Sequence, residues 1–289
     1  MCFAAAPLAA VPVFVCRRAD YGQYPESGES PAFSAELTLS TDDGQTLWGG
    51  LVEADAPESA VIMLSGINGP PVSSLFGFAA FLSENGITSL LLELRAHGKS
   101  SGRMLGMGYT EVMDISAAVE ALSCLPGYDE VPITVLGFSM GGAAAVNAFG
   151  QLEDIDGLVA VSAYSSFDSV IFEKAADFGV PDFLASVHRP FIMLSLRILY
   201  GSDAVENLRP VVQIQNAGDR PVFLIACEDD PVVSSDNTRL LAQNCPDADV
   251  WIREGSDHLV VKGGSFTDIP EDTEFCEAVL LFISGVTDR

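Results

Sequence analysis

The sequence predicts an α/β protein whose mostly parallel central sheet is covered by helices on both faces, and three observations carry that expectation. Short apolar runs alternate with amphipathic stretches along most of the 289 residues, the pattern of strands buried between helical layers. The run Ile133-Thr134-Val135-Leu136 enters Gly137-Phe138-Ser139-Met140-Gly141-Gly142 and leaves through Ala143-Ala144-Ala145-Val146, which reads as strand, sharp turn and helix. Two later apolar runs, Pro221 to Ala226 and Val250 to Arg253, each open onto a loop holding carboxylates, the second also a histidine. An apolar content of 48% and a length within the single-domain range suit one sizeable core.

Taken in chain order, residues 35–40 and 46–52 flank Asp42-Asp43-Gly44 and predict a hairpin. The runs Val61 to Leu64 and Leu90 to Leu94 are continuous apolar strands, and Thr110 stands as N-cap to a helix carrying Val112, Ile115, Val119 and Leu122 on one stripe. After the strand Leu158 to Val161, the alternation breaks between about residues 167 and 216, and this stretch is expected to form a small helical lid. Its segment Phe191 to Tyr200 is too apolar for a free surface helix, so it is expected to pack on the core or over a site. A last helix follows Asp272 and Thr273, with Phe275, Val279 and Phe282 on one face. The expected organisation is residues 1–34 as an apolar segment and tether, then one domain over residues 35–289.

The turn at Ser139 has the chemistry of a nucleophile elbow, where flanking glycines admit a turn so tight that the serine stands exposed at the sheet edge. Spacing alone decides little in a chain with 26 glycines. Gly98-Lys99-Ser100-Ser101-Gly102 also fits G-x-S-x-G, but no strand precedes it and no helix follows, so it is a loop. Its Gly-Lys-Ser core is no phosphate loop either, because Glu93 stands where the first glycine is needed. A base for Ser139 must come from three histidines. His97 sits in a loop after an early strand, His188 sits in a helical stretch, and only His258 follows a late strand in the order serine, acid, histidine. The acid is Asp230 or one of its neighbours Asp229 and Glu228.

Together these stretches resemble the α/β-hydrolase superfamily, from about Ala35 to the C-terminus. Within it the chain looks most like the small-lid serine hydrolases known as serine-aminopeptidase-like or BEM46-like. The resemblance rests on Val61 to Ile67, Glu93 to Gly102, the elbow, and Pro221 to Val233. It implies an α/β-hydrolase fold, and it implies Asp230 as the acid, because the family's aspartate directly precedes a Pro-Val-Val segment. It further implies an oxyanion hole from the backbone N–H groups of Ile67 and Met140. This chain departs from the pattern at Ser65-Gly66, where a His-Gly pair is common, and at Cys227, where a glycine is. The implied chemistry is cleavage of a carboxylic ester, or of a thioester or amide, through an acyl-enzyme on Ser139. The rival reading is a catalytically silent member of the fold used for binding.

Charge excludes a further class. Forty acidic residues stand against 14 basic ones for a formal net charge of −26, the wrong sign for nucleic acid. A polyanionic substrate is disfavoured for the same reason, the small-molecule acyl substrate being what the resemblance implies. The plain reading of the charge is a soluble acidic protein, and the sharper one is adaptation to high salt. The six cysteines form no C-x-x-C pair and have no histidine at ligand spacing, so neither a metal nor a cofactor is implied, and free thiols are expected. Residues 1–16 are almost wholly apolar, yet shorter than the roughly 20 residues of a membrane span. They are expected either to belong to a cytoplasmic protein or to tether it to a membrane, with Arg17 to Pro31 as the tether.

Overall fold

Eight strands build one sheet: β1 (Ala35–Ser40), β2 (Thr46–Val52), β3 (Ser59–Leu64), β4 (Ile87–Leu92), β5 (Ile133–Phe138), β6 (Gly157–Val161), β7 (Val222–Cys227) and β8 (Asp249–Arg253). The computed structural model describes residues 11–19, 33–67, 69–171 and 182–287. The strands lie in the order β1-β2-β4-β3-β5-β6-β7-β8. The first two pair antiparallel as the predicted hairpin, with Ala35 opposite Leu51, and from β4 to β8 every pairing is parallel.

The period-two geometry of a strand explains how the sheet feeds two cores. On β3, Ile62 and Leu64 join one apolar cluster while Val61 and Met63 join the other. On β5, Val135 faces the first cluster and Leu136 and Phe138 the second. Helices α2 (Glu111–Ser123) and α3 (Met140–Gln151) close the first face with Ile115, Leu122 and Phe149. Helices α1 (Phe76–Ser83) and α8 (Thr273–Thr287) close the second with Phe78, Leu82, Phe275 and Val279. Each such buried side chain contributes about 1.5–3 kcal/mol. The two edge strands lack this double cover: β8 has one neighbour and an exposed Val250, and β1 pairs with β2 and leaves Glu36, Thr38 and Ser40 exposed.

Between β6 and β7 stand α4 (Asp182–Tyr200), α5 (Ser202–Asn207) and α6 (Pro210–Gln213). Helix α4 buries Ile192 and Leu196 and leaves Leu194 and Ile198 in solvent, so its apolar character is split between core and surface. Tyr200 at its end donates to the Leu105 carbonyl at 2.6 Å. Helix α7 (Ser235–Asn244) follows β7, capped by Ser234, whose hydroxyl accepts from Asp236 N–H. Thr110 occupies the expected cap position of α2 but makes no capping bond, and its hydroxyl is buried without a partner. The first-turn acids Glu111 and Asp114 are instead drawn inside.

Of the apolar N-terminal segment, residues 11–19 are described and lie against the domain. Residues 11–15 are helical, and Val11, Val15 and Ala19 join the first core cluster. Residues 1–10 and 20–32, which include the rest of the expected anchor and tether, lie outside the described residues. Among the described residues no helix is long and apolar enough to cross a membrane. The described cysteines, Cys16, Cys124, Cys227, Cys245 and Cys276, are free thiols.

Candidate active site

Ser139 sits at the junction of β5 and α3 with φ 55° and ψ −118°, a backbone conformation that a non-glycine residue adopts only under strong local constraint. The constraint is packing. A Cβ on Gly137 would run into the Gly141 carbonyl, and one on Gly141 would meet the Ser65 carbonyl and lie 2.9 Å from Leu64 Cβ. Both glycines are therefore demanded by how closely α3 returns to the sheet. The strained turn is anchored by Ser139 N–H on the Val161 carbonyl at 2.8 Å and by Ala143 N–H on the Ser139 carbonyl at 3.0 Å.

Beside it lies the turn after β3. A Cβ on Gly66 would be 3.3 Å from Ser139 Cβ, so Gly66 lines the serine directly, and Ile67 is the next residue of that turn. Met140 opens α3, where the first N–H groups of a helix have no partner within it and the macrodipole is positive. Met140 follows Ser139 directly and Ile67 follows Gly66, so the two residues belong to separate elements.

The acid and the imidazole meet on the loops that follow β7 and β8. His258 Nδ1 lies 2.7 Å from Asp230 Oδ2, and Asp230 Oδ1 accepts from Val232 N–H at 2.7 Å and Val233 N–H at 3.1 Å. Burial works against ionisation of Asp230, but the bonds from His258 and the two amides prevail and hold its carboxyl below the usual carboxylate range. The two neighbouring carboxylates point elsewhere: Glu228 pairs with Arg239 at 2.6 Å, and Asp229 is exposed. Among the described residues no hydrogen bond joins Ser139 to His258. The three residues share the edge formed by the ends of β5, β7 and β8, with the Asp230–His258 pair assembled and Ser139 separate from it.

The histidine loop is held by residues outside the sequence-derived set. Arg253 at the end of β8 donates to the Val260 carbonyl at 2.7 Å and pairs with Asp272 at 2.6 Å. Asp272 is buried, which opposes its charge, yet Arg253 and the N–H groups of Lys262 and Phe275 keep its carboxyl low. By sequence Asp272 marks a helix start, and Arg253 is the end of a strand with no role. The signal was a single arginine closing a strand five residues before the histidine. The second G-x-S-x-G copy is a loop: Ser100 donates to the Glu93 carbonyl at 2.5 Å and accepts from Trp48 N–H at 2.9 Å, so its hydroxyl is spent on structure.

A parallel sheet flanked on both faces, a strained serine at the strand-to-helix turn of β5, and an acid–imidazole pair on the two following edge loops define the class. The chain has the α/β-hydrolase fold. The family model described as Hydrolase_4, serine aminopeptidase S33, matches residues 55–189. The esterase Pf2001 of Pyrococcus furiosus superposes with a TM-score of 0.69 at 22% identity, covering 93% of this chain and 98% of that one. Among curated proteins, thiohydrolase apmlB of Arthrinium phaeospermum is 34% identical over 131 residues, 44% of this chain and 42% of the relative. Polyketide transferase ATR5 of Stachybotrys chlorohalonatus is 30% identical over 116 residues, 39% of each. The matches span about two fifths of these curated relatives.

Proposed function

We propose that this protein is a serine hydrolase that cleaves carboxylic esters through an acyl-enzyme on Ser139, with His258 as general base and acid and Asp230 as the group that orients it. The observation that carries the reading is the 2.7 Å contact of Asp230 with His258 Nδ1 on the edge where the strained Ser139 stands. A carboxylate at Nδ1 selects the tautomer whose Nε2 lone pair is free, the form that takes a proton from a hydroxyl. Ser139 then attacks the acyl carbon, and the negative charge that develops on the carbonyl oxygen falls to the N–H groups of Ile67 and Met140. His258 returns the proton to the leaving alcohol, and water, activated in the same way, releases the acid and frees Ser139.

Thioesters are the natural second substrate class on this machinery, since the acyl-enzyme is the same and a thiolate leaves more readily. The likeness to a thiohydrolase supports testing them beside esters. The test is labelling of the folded protein with a fluorophosphonate, read by intact mass and peptide mapping, with Ser139→Ala as control. One adduct, on Ser139, is the expected result. A folded protein that takes no adduct while Pf2001 esterase is labelled under the same conditions overturns the reading in favour of a silent binding protein.

A further inference from the structure

His97, a loop histidine by its sequence position, is 1% exposed and reaches the turn beside the candidate site. Its Nδ1 lies 2.8 Å from the Arg95 carbonyl of its own loop, while its Nε2 lies 3.2 Å from the Ile67 carbonyl, thirty residues away in sequence. Ile67 belongs to the turn in which Gly66 packs on Ser139. A ring that holds the carbonyl of Ile67 fixes the orientation of the chain one peptide beyond the N–H that would meet the oxyanion. Oxyanion donors are effective only when their geometry is set before the reaction.

The loop bearing His97 is itself immobilised from two sides. Inside the domain, Arg95 pairs with Asp114 at 2.7 Å and Asp43 at 2.7 Å, and its own N–H bonds Asp114 at 2.7 Å. From outside, the N-terminal residues 11–19 lie along the loop as a strap. Ala19 pairs with the loop as a parallel bridge to His97, donating to the Ala96 carbonyl at 2.8 Å and accepting from Gly98 N–H at 3.3 Å. The exposed Arg18 spreads its guanidinium over three carbonyls, Gly98 at 2.6 Å, Ser100 at 2.9 Å and Gly102 at 2.9 Å. Val15 accepts from Leu105 N–H at 2.9 Å, with its side chain fully buried. A segment whose composition suggests an anchor is thus stitched to the loop that touches the oxyanion turn.

We propose that His97 is a positioning residue for the Ser65–Ile67 turn and that residues 11–19 form the strap that keeps it in place, so that the N-terminal segment is part of the active-site scaffold. The proposal rests on the serine-hydrolase reading. It requires a proton on Nε2: since Nδ1 also faces a carbonyl, the neutral ring donates to one of the two oxygens and the imidazolium to both, and Ile67 is held while Nε2 carries a proton. That requirement separates two conservative replacements. Glutamine places an N–H near the former Nε2 and keeps the reach to Ile67, whereas asparagine retains only the reach of Nδ1 to Arg95.

The experiment compares the wild type, His97→Gln, His97→Asn and Arg18→Ala. Each concentration of competent sites is set by fluorophosphonate titration, and kcat and KM are measured for p-nitrophenyl acetate. Affinity is measured for a trifluoromethyl ketone, whose serine adduct carries the oxyanion. The expected result for His97→Asn is a kcat lowered roughly 10- to 100-fold with KM changed less than 3-fold and inhibitor affinity lowered in parallel, because a donor misplaced by about 1 Å costs on that order. His97→Gln is expected to recover at least half of the wild-type kcat, and Arg18→Ala to lose roughly 3- to 10-fold in the same two quantities. If kcat per titrated site and inhibitor affinity stay at wild-type values in His97→Asn, the positioning role is overturned while the hydrolase reading stands. Should His97→Asn fail to fold, Gln and Arg18→Ala decide: wild-type behaviour of Arg18→Ala removes the strap, and a glutamine variant as impaired in kcat as Ser139→Ala removes the donor argument. A wild type that neither labels nor turns over removes both this proposal and the reading beneath it.

Discussion

Replacing Asp230 by asparagine deletes one charge and turns one oxygen into an NH2 while leaving the shape of the side chain intact. The structure decides which oxygen is lost. Oδ1 accepts two backbone N–H groups, from Val232 and Val233, and Oδ2 faces His258 Nδ1. If the amide oxygen stays on the two N–H groups, the NH2 confronts Nδ1, which must then be bare, and the proton moves to Nε2, where it blocks abstraction from Ser139. The opposite orientation breaks two hydrogen bonds of about 1 kcal/mol each and sets NH2 against two donors. The first orientation is therefore favoured by about 2–4 kcal/mol, leaving the base-competent ring at roughly a few per cent to a tenth of a per cent. Loss of the charge that stabilises the imidazolium adds to this, and the two effects together bring the expected fall in kcat to about 10⁴, the size found for the same change in the best-studied triad. The assay is kcat/KM for p-nitrophenyl acetate against Asp229→Asn, whose carboxylate is exposed, with urea unfolding to confirm that both variants fold. Retention of more than a tenth of wild-type kcat/KM by Asp230→Asn, or an equal loss in Asp229→Asn, refutes the reasoning.

Glu111 gives a pH prediction: burial, with Asp114 adding to it, pushes its carboxyl up to about 7, although its oxygens accept from Gly106 and Gly108 N–H. With the folded value above the unfolded one, stability fully present below about pH 4.5 is lost as pH rises toward 7, on the order of 3 kcal/mol in all. Urea unfolding across that window should show this slope in the wild type and a flatter one in Glu111→Gln, and equal slopes would discard the assignment. Gly141→Ala drives a methyl into the Ser65 carbonyl and is expected to cost about 1–3 kcal/mol, so a urea midpoint matching the wild type would show that α3 does not need its close approach. The net charge of −26 predicts that thermal unfolding shifts upward between 0.05 and 1 M potassium chloride, as screening shortens from more than 10 Å to about 3 Å, and a downward shift would contradict self-repulsion.

The elbow was legible because its requirements are local. Gly137, Gly141 and Ser139 constrain one another within five residues, and the strand before and helix after are written in the same short run. The two-faced sheet was legible for a related reason, since continuous apolar strands have no other way to be buried. What escaped depends on contacts distant in sequence. Three adjacent carboxylates look alike until Arg239 draws off Glu228 and the sheet edge turns Asp230 toward His258. Residues 11–19 carry no amphipathic mark that distinguishes an anchor from a strap. Their partners, Gly98 to Leu105, stand some eighty residues further along. Glu111 and Asp114 carried the ordinary signature of a helix first turn, and only the packing of α2 against the loop at Gly106 shows that they are interior.

Backbone strain is distributed in a way that ties these misses together. Among the described residues, five other than glycine adopt positive φ: Ala96, Met107, Ser139, Ser162 and Val260. Ser139 and Ser162 directly follow β5 and β6, Ala96 follows β4, and Val260 lies two residues beyond His258, so four of the five crowd the edge where the candidate site is built. Each costs on the order of 1–3 kcal/mol and persists only where surrounding bonds over-determine it. Such bonds are present: Val161 and Ile225 carbonyls hold Ser139 and Ser162, Ser101 and Ala19 hold Ala96, and Arg253 holds Val260. A residue without a glycine's freedom leaves no mark in the sequence when the fold forces it left-handed. The strap, the Arg253–Asp272 pair and the sheet carbonyls are therefore one device, in which the buried layers on either side of the sheet stabilise an edge that would relax without them.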